Sequence, residues 1–172
     1  NYTAHWNVNF VIDLIQKLKS QKTDIYDKLD QKFNLNLLTE NLSEKVDKIF
    51  LPKATADGII PQDDTYLGKK ILDLQKYRDS DGVDSLFHDY NLEQVNQMQI
   101  TKQADVLLLM LLFEGLFDKE QKLKNFDYYE PKTTHDSSLS LSTHAILSAD
   151  LGKLEQSYDF FNKAINIDMG EY

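Results

Sequence analysis

Cysteine is absent from all 172 residues. That absence removes disulfides, thiolate nucleophiles and thiolate metal sites together, and it favours a reducing compartment. Glycine (6) and proline (3) are scarce, and no period-2 apolar alternation stands between turn signals. A strand-and-turn architecture is therefore excluded and an all-α chain is expected. Positive charge is also in short supply, with 19 Lys and Arg against 28 Asp and Glu and a formal net charge of −9. No global field draws such a chain to nucleic acid or to an anionic membrane surface. The longest apolar run, Val106 to Phe113, is far short of the roughly 18 residues that mark a membrane span. The first residues lack the basic, apolar and small-residue succession of a signal peptide, so the expected location is cytoplasmic.

What the sequence does contain is helical periodicity. A chain of this length buries roughly 70% of its unfolded surface and carries a real core. Trp6, Phe10, Val11, Leu14, Ile15 and Leu18 are spaced as one face of a helix, and the chain begins inside that pattern, as a stretch cut from something longer would. Leu42, Val46 and Ile49 mark a second helix that stops before Pro52, and Leu67, Ile71, Leu74 and Tyr77 mark a third. Residues 20–40 mix helix formers with Asn and Asp and permit a helix or a turn. From Lys102 to Phe117 the run VLLLMLLF is apolar on every side of a helical wheel, which predicts an inner helix buried all round. A further inner helix is expected from about Ser138, capped by Ser137 or Asp136, carrying small residues at Ser140, Ala145, Ser148 and Ala149, and stopped by Gly152. Leu154, Tyr158, Phe161 and Ile165 then give a one-sided stripe, with Lys153, Glu155 and Asp159 facing water. The expected architecture is two layers in which inner and outer helices alternate.

Between the two inner helices lies YYEPKTTHDSSLS, residues 128–140. It is too polar for a core, and it ends where unpaired backbone N–H groups and the positive dipole end of a helix face outward. Such a terminus accommodates an anion, with hydroxyls from Ser137 and Ser138 and charge from Lys132 or His135, and phosphate or a phosphorylated sugar is a sensible occupant. The same residues also make an ordinary helix cap in a hydrogen-bonded loop, because Ser and Asp are the preferred cap residues. Spacing alone favours the cap.

Other constellations carry little chemistry. His5, His88, His135 and His144 form no i, i+4 pair, so no metal site is expected. His144 reads as a polar member of the inner helix, bonding across to a neighbour. Neighbouring Ser, His and Asp in THDSS cannot form a triad, and no GxSxG elbow is present. Asp63 and Asp64 lack the ligand periodicity of a calcium loop. The aromatic residues suit sugar stacking and core packing equally.

The segments TKQADVLLLMLLF, FDYYEPKTTHDSSLSLSTHAILSADLG, IIPQDDTYL and NYTAHWN together resemble glycoside hydrolase family 65, the disaccharide phosphorylases. The resemblance covers essentially residues 1–172 and implies an interior stretch, truncated at both ends, of one (α/α)6-barrel catalytic domain. It implies reversible, inverting phosphorolysis of an α-glucosyl disaccharide to β-glucose 1-phosphate and a free sugar, with maltose expected among maltose, trehalose, kojibiose and nigerose. The partners are then the disaccharide and phosphate, with a homodimer in the parent; inorganic phosphate is co-substrate and neither cofactor nor metal is used. An inverting hydrolase needs two carboxyl groups, whereas phosphate is already an anionic nucleophile and needs only a cradle. By resemblance, Ser137 and Ser138 match phosphate-contacting serines, His135 lines the same pocket, and Lys102 and Gln103 contact the transferred glucosyl unit. The general-acid glutamate is expected upstream of residue 1, and Glu114 and Glu130 are not taken for it. On this reading the isolated chain is inactive and self-associates through exposed helix edges. The alternative is a non-catalytic α-toroid that binds sugar or partners.

Overall fold

The computed structural model describes residues 1–78, 84–135 and 137–167, the side chains of Asp84 and Ser138 excepted. Every regular element among the described residues is helical, with two isolated parallel bridges, Lys70 to Met98 and Thr101 to Thr133. The all-α expectation holds. The chain divides into two compact units, Asn1–Leu51 and Pro52–Tyr172.

The first unit holds α1 (Tyr2–Ser20), α2 (Asp24–Phe33) and α3 (Leu35–Val46). The ambiguous stretch 20–40 is resolved by its polar residues. Thr23 Oγ1 accepts the Tyr26 N–H at 3.2 Å and caps α2. Asn34 takes a left-handed φ of 50°, ends α2, and caps α3 by accepting the Leu37 N–H at 3.4 Å, a conformation Asn tolerates better than most residues. Ile15, Tyr26 and Leu35 form the core, with Val11, Leu18 and Leu29 against it. The apolar face of α1 thus splits. Its Val11, Ile15 and Leu18 side packs, while Trp6, Phe10 and Leu14 stay exposed, the first two with their rings stacked 5.2 Å apart.

The second unit corrects one expectation at once. Leu67 to Tyr77 is not a single helix. A 3-10 turn at Tyr66–Gly68 is followed by extended backbone, because Lys70 N–H donates to Gln97 O (3.1 Å) and Lys70 O accepts from Gln99 N–H (2.8 Å). Helix resumes only as the four-residue α4 (Gln75–Arg78), whose first N–H is capped by Asp73 Oδ1 at 3.0 Å. Leu74 and Tyr77 are buried with Leu86, whereas Ile71 is exposed. The short helices α5 (Asp84–Asp89) and α6 (Leu92–Asn96) follow, the latter opened by a reciprocal Asn91–Gln94 capping box.

Four longer helices complete the unit: α7 (Asp105–Leu112), α8 (Lys119–Tyr129), α9 (Ser138–Leu151) and α10 (Leu154–Asn166). Helices α7, α8 and α10 all pack against α9. Helix α9 buries Ser140, Leu141, His144, Leu147 and Ser148 along one broad face and leaves Leu139 and Ile146 exposed on the other side, whereas α10 buries only Phe160. That is the expected inner-to-outer order. Helix α9 stops where expected, at Gly152 with φ 86°.

Two packing expectations fail in part. Helix α7 buries Val106, Leu107 and Met110, but its last residue Leu112 is 61% exposed. On α10 the predicted stripe of Leu154, Tyr158, Phe161 and Ile165 faces outward, and contact with α9 is made by Phe160 and by Ser157, whose hydroxyl donates to Ala145 O at 2.8 Å. An apolar stripe shows where a helix can be buried, but only the available neighbours determine which part is.

Candidate functional site

The polar segment is shaped by how α8 ends. Pro131 cannot continue a helix, so residues 130–132 tighten into a 3-10 turn and the chain crosses to the strand-like segment before α7. There Thr101 N–H donates to Lys132 O (2.9 Å) and Thr134 N–H donates to Thr101 O (2.8 Å). The two hydroxyls of Thr101 and Thr133 share a hydrogen bond of 2.9 Å, and Thr133 Oγ1 reaches Tyr129 O at 2.9 Å. Both threonines are buried. This stitching sets the KQ pair, residues 102–103, beside the loop that leads into α9.

Ser137 is the N-cap of α9, its hydroxyl oxygen accepting the Leu139 N–H at 3.4 Å, and the same hydroxyl donates to Gln103 Oε1 at 3.0 Å. Gln103 and Ser137, far apart in sequence, are thus in direct contact at a helix N-terminus. Lys102 lies exposed next to them. Ser138 is the first residue of α9 and its side chain lies outside the described residues, as does Asp136, the other cap candidate. Lys132 does not reach toward this terminus. Its ammonium donates to Tyr128 O at 2.8 Å and lies 3.6 Å from the centre of the Tyr128 ring.

His135 has φ 60°, a left-handed conformation uncommon for a residue with a Cβ. Its ring turns to the inner side of the first turn of α9. Nδ1 is 2.9 Å from Ser140 Oγ, Nε2 is 3.9 Å from Glu130 Oε1, and the ring lies edge-on to His144 with centres 4.5 Å apart. A cleft of about 360 Å³ opens on this side, lined in part by Arg78, Glu130, His135 and Lys163. Burial pushes the Glu130 carboxyl up, but His135 and the Arg78 guanidinium together override it and hold the pKa at about 2. Glu130 is therefore an ionised anchor at neutral pH and no proton donor. Glu114 lies exposed on a 3-10 turn after α7.

His144 does not bond across to a neighbouring helix. Its Nδ1–H donates to Ser140 O, one turn back on α9, at 2.8 Å, which leaves Nε2 as a buried acceptor beside Phe126 and Phe160. Burial, aided by His135, lowers its pKa to about 4. Among the described residues no three His, Asp or Glu side chains converge in a way that could hold a metal ion, and no helix is long and apolar enough to cross a membrane.

Sequence reasoning missed Arg78. Its guanidinium reaches the carboxylate of Glu130 (2.9 Å) and the backbone carbonyls of Glu130 and Thr133, the latter at 2.6 Å. Carbonyl acceptors carry no residue identity, so no motif announces such a contact.

Residues 1–172 match the glycosyl hydrolase family 65 central catalytic domain over their whole length. The chain is 38% identical to a kojibiose phosphorylase of Halothermothrix orenii, an alignment that covers 99% of this chain and 22% of that protein. It is 29% identical to a maltose phosphorylase of Bacillus subtilis, with 100% and 22% covered. A solved structure named "Putative kojibiose phosphorylase from human microbiome" superposes with a TM-score of 0.73 at 25% identity, over 92% of this chain and 22% of that one. The chain thus spans 22% of the length of each of these proteins.

Proposed function

The chain belongs to glycosyl hydrolase family 65, and on that premise we propose that it is part of the (α/α)6-barrel catalytic domain of an inverting disaccharide phosphorylase. The parent protein cleaves an α-glucosyl disaccharide with inorganic phosphate to give β-glucose 1-phosphate and a free sugar. The observation that carries this reading is the 3.0 Å contact between Ser137 and Gln103, which brings the two matched motifs to one helix N-terminus. Lys102 and Gln103 hold the transferred glucosyl unit; Ser137 and Ser138, with His135 behind them, hold phosphate. Preorganised donors at a helix N-terminus suit an anionic nucleophile that needs no carboxylate to activate it.

The acid that protonates the departing oxygen belongs, on this reading, to residues outside 1–172, since Glu130 is committed to Arg78. Phosphate is the co-substrate, and the reaction is assigned no metal or organic cofactor. A cytoplasmic homodimer is the proposed state of the parent. Maltose is the sugar expected from the sequence resemblance, but the maltose phosphorylase relative stands at 29% identity against 38% for a kojibiose phosphorylase. Kojibiose is therefore the sugar favoured here, with trehalose second, since a trehalose phosphorylase of Thermoanaerobacter brockii is 37% identical to this chain, and maltose after both.

The test is to incubate the full-length protein with kojibiose, maltose and trehalose, each with and without phosphate, and to follow β-glucose 1-phosphate. Release only in the presence of phosphate is expected. Hydrolysis at a comparable rate without phosphate would overturn the phosphorylase reading. Sugar binding without turnover would instead favour a non-catalytic toroid.

A further inference from the structure

We propose that Arg78 is a positioning residue for the phosphate side of the site, acting through Glu130 and Thr133 on the loop that carries His135 and Ser137; this rests on the phosphorylase reading above. Arg78 is the last residue of α4, which comes 52 residues before Glu130 in the chain, and its side chain and that of Glu130 are only 23% and 15% exposed. Three acceptors converge on its fork: Glu130 Oε1 at 2.9 Å, Glu130 O, and Thr133 O at 2.6 Å. The fork thus spans the turn from residue 130 to residue 133 and fixes its two ends relative to each other.

That turn needs fixing. Immediately after it comes His135 at φ 60°, a conformation that persists for a non-glycine residue only where its surroundings impose it. Arg78 holds the near side, Ser140 Oγ holds the His135 ring at 2.9 Å, and Thr101 holds residue 134 at 2.8 Å. Removing the guanidinium leaves the carbonyl of Thr133, a fully buried residue, without that donor. It also leaves the ionised Glu130 carboxylate without its guanidinium partner and with the His135 Nε2 3.9 Å away. The His135 ring would then swing toward Glu130 and pull the loop and the Ser137 cap off Gln103. By contrast, Lys102 and Gln103 run into α7 through the buried Ala104 and Val106, so the glucosyl side depends less on Arg78.

Lysine cannot replace the fork, because a single ammonium cannot place planar donors on three acceptors set this far apart. The experiment is steady-state phosphorolysis by the full-length protein and its Arg78→Lys and Arg78→Ala variants. Phosphate is varied at saturating disaccharide, and then the reverse. In both variants the KM for phosphate is expected to rise about tenfold or more while the disaccharide KM stays within about twofold. Millimolar ethylguanidinium should bring the phosphate KM of Arg78→Ala back down. If Arg78→Ala does not fold, Arg78→Lys alone decides. Unchanged phosphate KM in a variant that has merely lost yield or kcat would make Arg78 a structural residue and overturn the inference. An absence of phosphate-dependent turnover in the unmodified protein would overturn the phosphorylase reading, and this inference with it. That failure is visible before any variant is made.

Discussion

Asn125 offers the sharpest test of how the site is supported, because one atom can be exchanged without changing shape. The side chain is completely buried on α8. Its Oδ1 accepts the Ile60 N–H at 2.9 Å, and its Nδ2 donates to Gly58 O at 2.9 Å and Gln121 O at 2.8 Å. One turn on, the Tyr129 hydroxyl donates to Ile60 O at 2.6 Å. The irregular segment around residues 58–60 is thus bound to the helix that ends at the candidate site. Asn125→Asp keeps the acceptor for Ile60 but turns a carboxylate oxygen toward two carbonyl oxygens. Gln121 O keeps its backbone donor within α8, but Gly58 O loses the donor it had. A carbonyl left without a donor costs about 1–3 kcal/mol, so about 2 kcal/mol, or roughly one to two decades in a local opening equilibrium, is at stake. Hydrogen exchange of peptides covering residues 55–62, in the full-length protein, reads that opening directly. Protection should drop by roughly that factor at pH 8. It should return in part at pH 5, where a protonated aspartate donates again. Asn125→Ala should lose protection at both pH values. An Asn125→Asp protein with undiminished protection at pH 8 would show that these hydrogen bonds do not hold the segment.

His144 and Gly152 give two further predictions. The His144 imidazole is protonated near pH 6.5 in the unfolded chain but only near 4 in the fold. The unfolded state therefore binds more protons between these values, and this group's contribution is full above pH 6.5 and is lost as pH falls toward 4, on the order of 3 kcal/mol in all. His144→Asn keeps a donor toward Ser140 O and removes the titration, so the wild-type advantage in thermal midpoint should shrink from pH 7 to pH 4.5; a constant difference would refute the assignment. Gly152 has φ 86° and nothing within 4 Å of where a Cβ would stand, so Gly152→Ala should cost only the left-handed conformation, about 1 kcal/mol. A denaturation midpoint that does not fall would show that α9 ends differently.

The elements legible in the sequence are those whose ends are local. Ser137 and Gly152 bracket α9 because a cap hydroxyl and a residue free to take positive φ act within one turn of themselves. The break at residues 69–74 was not legible, because it is made by backbone pairing with residues 97–99, and an apolar period cannot register a competitor thirty residues away. The outward stripe of α10 failed for a related reason. Leu154, Tyr158, Phe161 and Ile165 do share a face, but the sequence does not say what covers it.

The candidate site divides along the same line. THDSS and KQ stand out as residue types, and their meeting follows from the Thr101–Thr133 pairing, which no spacing announces. Which way a side chain turns is decided later still. Lys132 and His135 were both plausible charges for an anion at the start of α9, yet the first is drawn back over Tyr128 and the second toward Ser140 and Glu130. In each case a nearby partner at short range captures the side chain. A charged residue in a polar loop can therefore be assigned to a ligand only after its neighbours have been given first claim on it. Arg78 is the complementary case, a residue with no motif around it whose three acceptors all lie in the loop that carries the motif.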